Sequence, residues 1–255
     1  MIGSVMSTND RPALILGASG MTGRRVAARL WERNVPVRPG GRDAHPPFDW
    51  HDRATWPRAL EGARAVYVSH PAIDPEAVEA LARRAVDAGA ERLVLACRRG
   101  GAAADEAEAR FHAAAPAGTV LRCSRLAQEF SEGRFAAGVA RGEVALGDGG
   151  PEPFLDAEDV ADVAVAALTE PRHRGRTYEL TGPRLLRHAD AVAAIAAVLG
   201  RPVRLSGEEE RPAPGRELSY GVDLALGRPA RDFRMFARRA AAAGAWDEPV
   251  PAGAA

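Results

Sequence analysis

The sequence predicts an α/β fold, a doubly wound parallel sheet, and three observations predict it. Apolar runs alternate with helix-period patterns along the first half of the 255-residue chain, the order expected when helices cover both faces of a parallel sheet. The first of these runs, Ala13 to Leu16, leads straight into a G-x-x-G-x-x-G turn (Gly17, Gly20, Gly23) and then into the helical pattern Arg24 to Leu30. The alternation continues through five strands and changes only past Gly133.

In that setting the glycines read as a dinucleotide-binding turn. Gly17 permits the sharp exit from the strand, Gly20 lets backbone N–H groups approach a pyrophosphate, and Gly23 lets the helix pack close to the sheet. A tight turn without ligand is the alternative. The second strand is predicted over residues 35–38. An enzyme preferring NAD places Asp or Glu about 20 residues past the turn to bond the ribose 2′-OH. This chain has Arg38-Pro39-Gly40-Gly41-Arg42 there. A planar, permanently charged guanidinium matches a 2′-phosphate, so NADP(H) is the expected cofactor. Arg42 is the first candidate because it lies past the strand; Arg38 is either a second contact or a solvated strand residue.

Residues 56–60 form a short predicted helix, and Ala65 to Val68 a buried strand ending at Ser69-His70-Pro71. A helix over 75–88, with Ala77, Val78, Leu81 and Val86 at helical spacing, precedes a strand over 92–97. A helix over 105–115 and a strand over 119–122 follow. In open parallel sheets ligands bind outside the carboxyl ends of the strands at the topological switch point. That rule collects Gly17 to Gly23, Arg42, Ser69, His70, Pro71, Cys97, Arg98 and Cys123. Beyond Gly133 the pattern predicts a helix over 156–168 with Val160, Val163 and Ala167 on one face, a strand over 177–180 and a helix over 188–199 stopped by Gly200 and Pro202. A strand over 203–205, a polar loop over 208–215 and a helix over 232–243 complete the chain. The expected organisation is a flexible leader (1–12), a nucleotide-binding domain (13–150), a portion completing the sheet and substrate pocket (151–248) and a flexible tail (249–255).

Composition excludes several function classes. The 34 basic and 34 acidic residues cancel, so no global field recruits nucleic acid or acidic membranes. There is no apolar run of bilayer length and no signal-peptide pattern at the start, which predicts a cytoplasmic protein. Cys97 and Cys123 are the two cysteines, too few for a disulfide framework or a metal cluster; no metal is expected. The chain contains no lysine, so all 34 basic residues are arginine. Schiff-base chemistry and the Tyr-x-x-x-Lys pair, in which lysine lowers a tyrosine pKa, are therefore closed to it.

The segments GASGMTGRRVAARL, FDWHDRATWPRALEGARAVYV, TVLRCSRLAQEFSEG, DAEDVADVAVAALTE, RTYELTGPRLL and LGRPARDF, in this order, resemble the NmrA-like atypical short-chain dehydrogenases/reductases over nearly the whole chain. The resemblance implies a Rossmann-type fold with a small C-terminal substrate-facing portion and NADP(H) as cofactor. It also implies reduction of quinones, imines or iminium ions, carbonyls or enones of small molecules. Some relatives instead sense the redox state of the nucleotide and regulate a partner protein. Carried over, the resemblance assigns Gly17, Ser19, Gly20, Met21, Thr22 and Gly23 to the pyrophosphate, Arg42 to the 2′-phosphate, and Asp49 and Trp50 to the adenine edge. Ser69, His70 and Pro71 fall beside the cofactor, Cys97 and Arg98 beside the nicotinamide-side ribose, and the segment from Arg122 through Cys123 to Glu129 over the nicotinamide. The chain departs from the family where Leu121-Arg122-Cys123 replaces Leu-Arg-Pro and Gln128-Glu129-Phe130 replaces Gln-Asn-Phe. The Tyr-x-x-x-Lys positions align with Gly100 and Ala104, and the stretch 206–220 is short, which implies a more open pocket.

His70 reads as a proton donor near neutral pH or as a partly exposed loop residue. Cys97 and Cys123 read as neighbours of the nicotinamide, Cys97 also as a candidate catalytic residue, or as small apolar fillers, and Glu129 as a proton donor or a solvated charge. Tyr178 reads as packing. The acidic row Asp156, Glu158, Asp159 and Asp162 reads as the charge bias of a helix N-terminus rather than a metal site. Two function classes follow. One is an NADP(H)-dependent oxidoreductase, or a redox-neutral enzyme that keeps the cofactor, acting on a small-molecule substrate as a monomer or homodimer. The other is a non-catalytic nucleotide sensor. Phe233, Phe236 and Trp246 are expected to line an organic pocket, which favours the first; the missing acid pair favours the second, or substrates needing no acid.

Overall fold

The computed structural model describes residues 11–69, 74–147, 150–207 and 216–247. Along these the chain runs β1 (Ala13–Leu16), α1 (Gly23–Glu32), β2 (Val37–Gly40), α2 (Trp56–Leu60), β3 (Ala65–Ser69), α3 (Pro75–Asp87), β4 (Arg92–Arg98), α4 (Ala102–Ala114) and β5 (Thr119–Cys123). It continues through α5 (Ala136–Arg141), β6 (Glu143–Val144), α6 (Ala157–Thr169), β7 (Thr177–Leu180), α7 (His188–Leu199), β8 (Arg204–Leu205), α8 (Gly221–Leu226) and α9 (Phe233–Ala242). These elements form two compact units, one of Met1–Cys123, Ala157–Leu180 and Gly221–Arg228, the other of Ser124–Asp156, Thr181–Tyr220 and Pro229–Ala255.

The first unit is the predicted doubly wound sheet. Its six strands lie in the order β2-β1-β3-β4-β5-β7, and every pairing is parallel. Side chains alternate between the faces of a strand. Leu14, Leu16, Val66, Val68, Leu95 and Val120 therefore pack on one face, against Trp56 and Leu60 of α2, Val78 and Leu81 of α3 and Phe111 of α4. The opposite face carries α1 and α6, which touch one another, with α6 also against β3, β4 and β5. Both faces being covered explains why β1 is buried at every residue, as strands of parallel sheets are.

β2 starts two residues later than the predicted 35–38. Asn34 takes a left-handed φ of 56°, and the N–H of Val35 bonds back to the Leu30 carbonyl at 2.9 Å. Val35 thus closes the C-terminus of α1, and pairing with β1 begins only at Val37. α6 also departs from expectation: Val160, Val163, Val165 and Leu168 are all buried, because the helix is flanked by α1 and α8 while lying on the sheet. Its acidic row is spent on arginines. Glu158 accepts from Arg25 at 2.6 Å and also pairs with Arg29, Asp162 pairs with Arg29 and Arg228, each at 2.6 Å, and Asp159 with Arg228 at 2.8 Å. Among the described residues no group of His, Cys, Asp and Glu could hold a metal, and no helix is long and apolar enough to cross a membrane.

At the start of the described chain Arg11 donates to the carbonyls of Ala63 at 3.0 Å and Gly89 at 2.8 Å, and Pro12 accepts from Arg64 N–H at 2.9 Å. The rest of the predicted leader, the loop over 208–215 and the tail lie outside the described residues.

In the second unit β6 and β8 form a parallel pair. Its core overturns one expectation. Phe233, Phe236 and Trp246 are not pocket lining; they are 3%, 2% and 2% exposed and pack with Phe130, Phe135 and Phe154. The Phe154 and Phe233 rings are 5.3 Å apart, and Trp246 Nε1 donates to the Phe130 carbonyl at 2.6 Å. Large aromatic side chains remove the most apolar area from water when buried, so here they go inward with Val139, Leu146 and Ile195. The short elements α5, β6 and α8 have no counterpart in the sequence reading; none is long enough to show a period.

Candidate functional site

All six parallel strands end at one edge of the first unit, and the chain reverses direction across the sheet between β1 and β3: from β1 it moves outward to β2, then returns to place β3 on the other side. The turn after β1 therefore faces the end of β3 across the switch point. Gly17 has φ 84°, and a Cβ there would lie 2.5 Å from the Ser69 carbonyl oxygen. A Cβ on Gly23 would collide with the Gly17 carbonyl oxygen, so the protein itself demands glycine at both places. Gly20 is different: it is exposed, and a Cβ would meet only the Gly17 carbonyl oxygen, at 3.2 Å. Packing alone does not require a glycine there, whereas a pyrophosphate laid against the turn does.

The helix start fits the same group. α1 begins without a side-chain cap and without an acidic residue in its first turn; the Arg24 N–H bonds the Gly20 carbonyl at 3.2 Å, and the positive end of the helix dipole suits an anion. Ser19 is exposed at the tip of the turn and Met21 is half-buried, the Met21 carbonyl accepting from Arg25 at 2.7 Å. Gly17, Ser19, Gly20, Met21, Thr22 and Gly23 would hold the pyrophosphate, and a nicotinamide dinucleotide would supply hydride-transfer chemistry there.

The two arginines at the end of β2 divide. Arg38 donates to the carbonyls of Ala59 at 2.9 Å and Glu61 at 2.7 Å, tying the C-terminus of α2. Arg42, two residues past the strand, is exposed and makes no side-chain bond to another described residue, which leaves its guanidinium available to a phosphate. Asp49 Oδ1 accepts from the His51 N–H at 2.9 Å, and its carbonyl accepts from Trp56 Nε1 at 2.7 Å. Trp50 packs edge-on against Phe48, centroids 5.2 Å apart. These contacts build the loop itself.

Beyond β3 the described chain stops at Ser69, so His70 and Pro71 lie outside the described residues. Cys97 and Cys123 are both buried. Burial pushes the Cys97 thiol up to about 12 and raises Cys123 as well, and each Sγ faces the Leu121 carbonyl, at 3.8 and 3.6 Å. A thiol so placed stays protonated and packs as an apolar residue, which removes Cys97 from the catalytic candidates. Arg98 ends β4 exposed. Arg122, expected over the nicotinamide, is instead held within the unit: Nε donates to Glu108 at 2.5 Å and Nη1 to Glu179 at 3.1 Å. Glu179 is also bonded by Arg99 at 2.6 Å. Gly100 precedes α4 and Ala104 lies in its first turn; neither carries a proton donor.

Glu129 belongs to the second unit, half-buried on a single helical turn, Ala127–Phe130. Its neighbour Gln128 donates to Asp156 at 2.8 Å, and Asp156 also accepts from Arg239. The sequence reading missed a buried charge cluster in this unit. Glu152 meets Arg125 Nε at 2.6 Å, Arg216 at 2.7 Å and His188 at 3.6 Å, and His188 Nδ1 lies 2.5 Å from the Gly147 carbonyl oxygen. Nothing in the spacing of four residues spread from 125 to 216 announces it.

No protein-family model matches the chain. It is 28% identical to an NAD(P)H azoreductase of Xenophilus azovorans, over 90% of this chain and 98% of that one. It is 31% identical to an agroclavine dehydrogenase of Claviceps fusiformis, over 83% of this chain and 84% of that one. The fold is shared with a triphenylmethane reductase of Citrobacter sp. solved in complex with NADP(H), at a TM-score of 0.66 and 15% identity over 90% of this chain and 99% of that one.

Proposed function

Because the chain belongs to the NAD(P)-binding Rossmann-fold oxidoreductases of the broad short-chain dehydrogenase/reductase and epimerase superfamily, we propose that it is an NADPH-dependent reductase of the NmrA-like type. Its substrate, a small organic molecule, is an already electrophilic one: a quinone, an iminium ion or a conjugated enone. The observation that carries the cofactor choice is Arg42, exposed two residues past β2 where an NAD enzyme would hold the ribose hydroxyls with a carboxylate. The substrate class rests on what the chain lacks. With no lysine in the sequence and Gly100 and Ala104 at the usual acid positions, an unactivated ketone would forgo general acid catalysis worth roughly 10²–10⁴-fold. An acceptor that is electrophilic beforehand needs chiefly positioning. Reduction of a quinone or a conjugated enone consumes NADPH and one proton, which comes from water, His70 or Glu129; hydride transfer to an iminium ion gives the neutral amine and consumes no proton.

Titration with both nucleotides tests the cofactor. The parent should bind NADPH more tightly than NADH, and Arg42→Ala should cost NADPH about 1.5–3 kcal/mol, the value of a hydrogen bond to a charged group, while leaving NADH unchanged. Equal affinity of the parent for the two ends this reading. Single-turnover oxidation of bound NADPH should be fast with quinones, cyclic imines and enones and slow with unactivated ketones, and His70→Ala and Glu129→Gln should identify any protein proton donor. Fast turnover of ketones alone refutes the substrate class. Tight NADPH binding with no oxidation by any member makes the protein a nucleotide sensor.

A further inference from the structure

We infer that Tyr67 is a positioning residue for the bound nucleotide, acting through a chain of three hydroxyls that begins in the sheet and ends at the strand edge beside the turn. The inference rests on reading that edge as the nucleotide site. Tyr67 is fully buried in β3, and a buried phenol costs free energy unless its hydroxyl is bonded. The Tyr67 hydroxyl donates to Thr22 Oγ1 at 2.8 Å, Thr22 Oγ1 in turn lies 3.3 Å from Ser69 Oγ, and Ser69 also bonds the Tyr67 hydroxyl. Thr22 occupies the N-cap position of α1 yet makes no capping bond with its side chain, the usual employment of a threonine there. Its hydroxyl is committed to the chain instead.

Proton counting gives the chain a direction. Each hydroxyl carries one hydrogen. Burial raises the Tyr67 pKa, so the phenol remains a donor and its hydrogen goes to Thr22. The Thr22 hydrogen then points at Ser69. Ser69 is half-buried as the last residue of β3 and also bonds the Tyr67 hydroxyl, so its own hydrogen closes the ring of hydroxyls onto the phenol oxygen until a stronger acceptor outside the strand ends draws it away. Ser69 ends the strand on one side of the switch point and Thr22 is the N-cap of the helix after the strand on the other, so the hydroxyls lie at the crevice that would receive the pyrophosphate. The acceptor it fits is an anionic phosphate oxygen, which has lone pairs and no hydrogen of its own. Tyr67 never touches the ligand; it sets the hydroxyl orientation of the residues that do.

The test is fluorescence titration of the full chain with NADPH and NADH. Tyr67→Phe keeps the ring and removes one hydrogen bond, so affinity for both nucleotides should fall by the same factor, roughly three- to tenfold, with the NADPH/NADH ratio unchanged. Ser69→Ala should give a similar loss, and the double variant should lose no more than either single one, because both cut the same chain. Thr22→Val should weaken binding while Thr22→Ser, which restores the hydroxyl, should not; this pair carries the test if Tyr67→Phe fails to fold. Parental affinity in Tyr67→Phe, or losses that multiply in the double variant, overturns the inference alone. A parent that binds neither nucleotide overturns it together with the nucleotide reading.

Discussion

Gly20→Val is expected to abolish NAD(P)H binding, by on the order of a hundredfold or more in Kd, equivalent to about 2.7 kcal/mol, while leaving the circular dichroism of the protein unchanged. The separation of the two effects comes from the turn. Gly20 is exposed at its tip, and a Cβ there meets a single backbone oxygen, at 3.2 Å, so the turn need give only a few tenths of an ångström to admit it, with the rest of the side chain expected to project into solvent. The same side chain occupies the space in which a pyrophosphate would approach the uncapped start of α1. Gly23 is the control: its Cβ would drive into the Gly17 carbonyl, so Gly23→Val should lose the fold as well as the ligand. Parental NADPH affinity in Gly20→Val would move the nucleotide away from this turn.

Glu152→Ala should lower the stability of the second unit by roughly 3–5 kcal/mol, measured by denaturant unfolding at neutral pH. Removing one partner of a buried ion pair leaves the other charge uncompensated, and here Arg125, Arg216 and His188 all converge on one carboxylate. The cluster also sets a pH dependence. Burial pushes the Glu152 carboxyl up, but the His188 bond and the Arg125 and Arg216 charges outweigh it, and its pKa falls below the ordinary 4.5. For His188 burial pushes down, and the Glu152 carboxylate and Gly147 carbonyl outweigh it, so its pKa rises above 6.5. A depressed carboxylate contributes its stability above pH 4.5 and loses it as pH falls through the folded value. A raised histidine contributes in full below pH 6.5 and loses it as pH climbs through the folded value. Both contributions are complete between these limits, so stability should decline on the alkaline side of pH 6.5 in the parent and not in His188→Gln. A parent profile that is flat there would refute the coupling.

The parts of the site legible in the sequence are the local ones. β1, the glycine turn and α1 are contiguous, and the positive φ of Gly17 and the close approach of Gly23 to the Gly17 carbonyl are set within a few residues, whereas the contact of Gly17 with Ser69 is not. The bounds of β7 and α7 agree with the sequence reading to the residue, because a turn or a Gly–Pro stop marks them locally. β2 was displaced because Val35 closes α1 before the strand can pair, a choice between two partners that residues 35–38 alone do not disclose.

By itself, the sequence determined the parallel α/β alternation, the glycine turn between β1 and α1 and the exclusion of lysine chemistry, since each depends on residue type or short-range spacing. Only the tertiary structure decided which arginines remain available. Arg25 and Glu158 stand 133 positions apart, Arg122 and Glu179 57 apart, and Arg38 meets the carbonyls ending α2 only because β2 lies beside β1. An arginine is the same residue on paper whether it will hold a phosphate or a carboxylate. Long-range packing brings up the carboxylates that hold Arg25 and Arg122 and the carbonyls that hold Arg38, and leaves Arg42 exposed past β2.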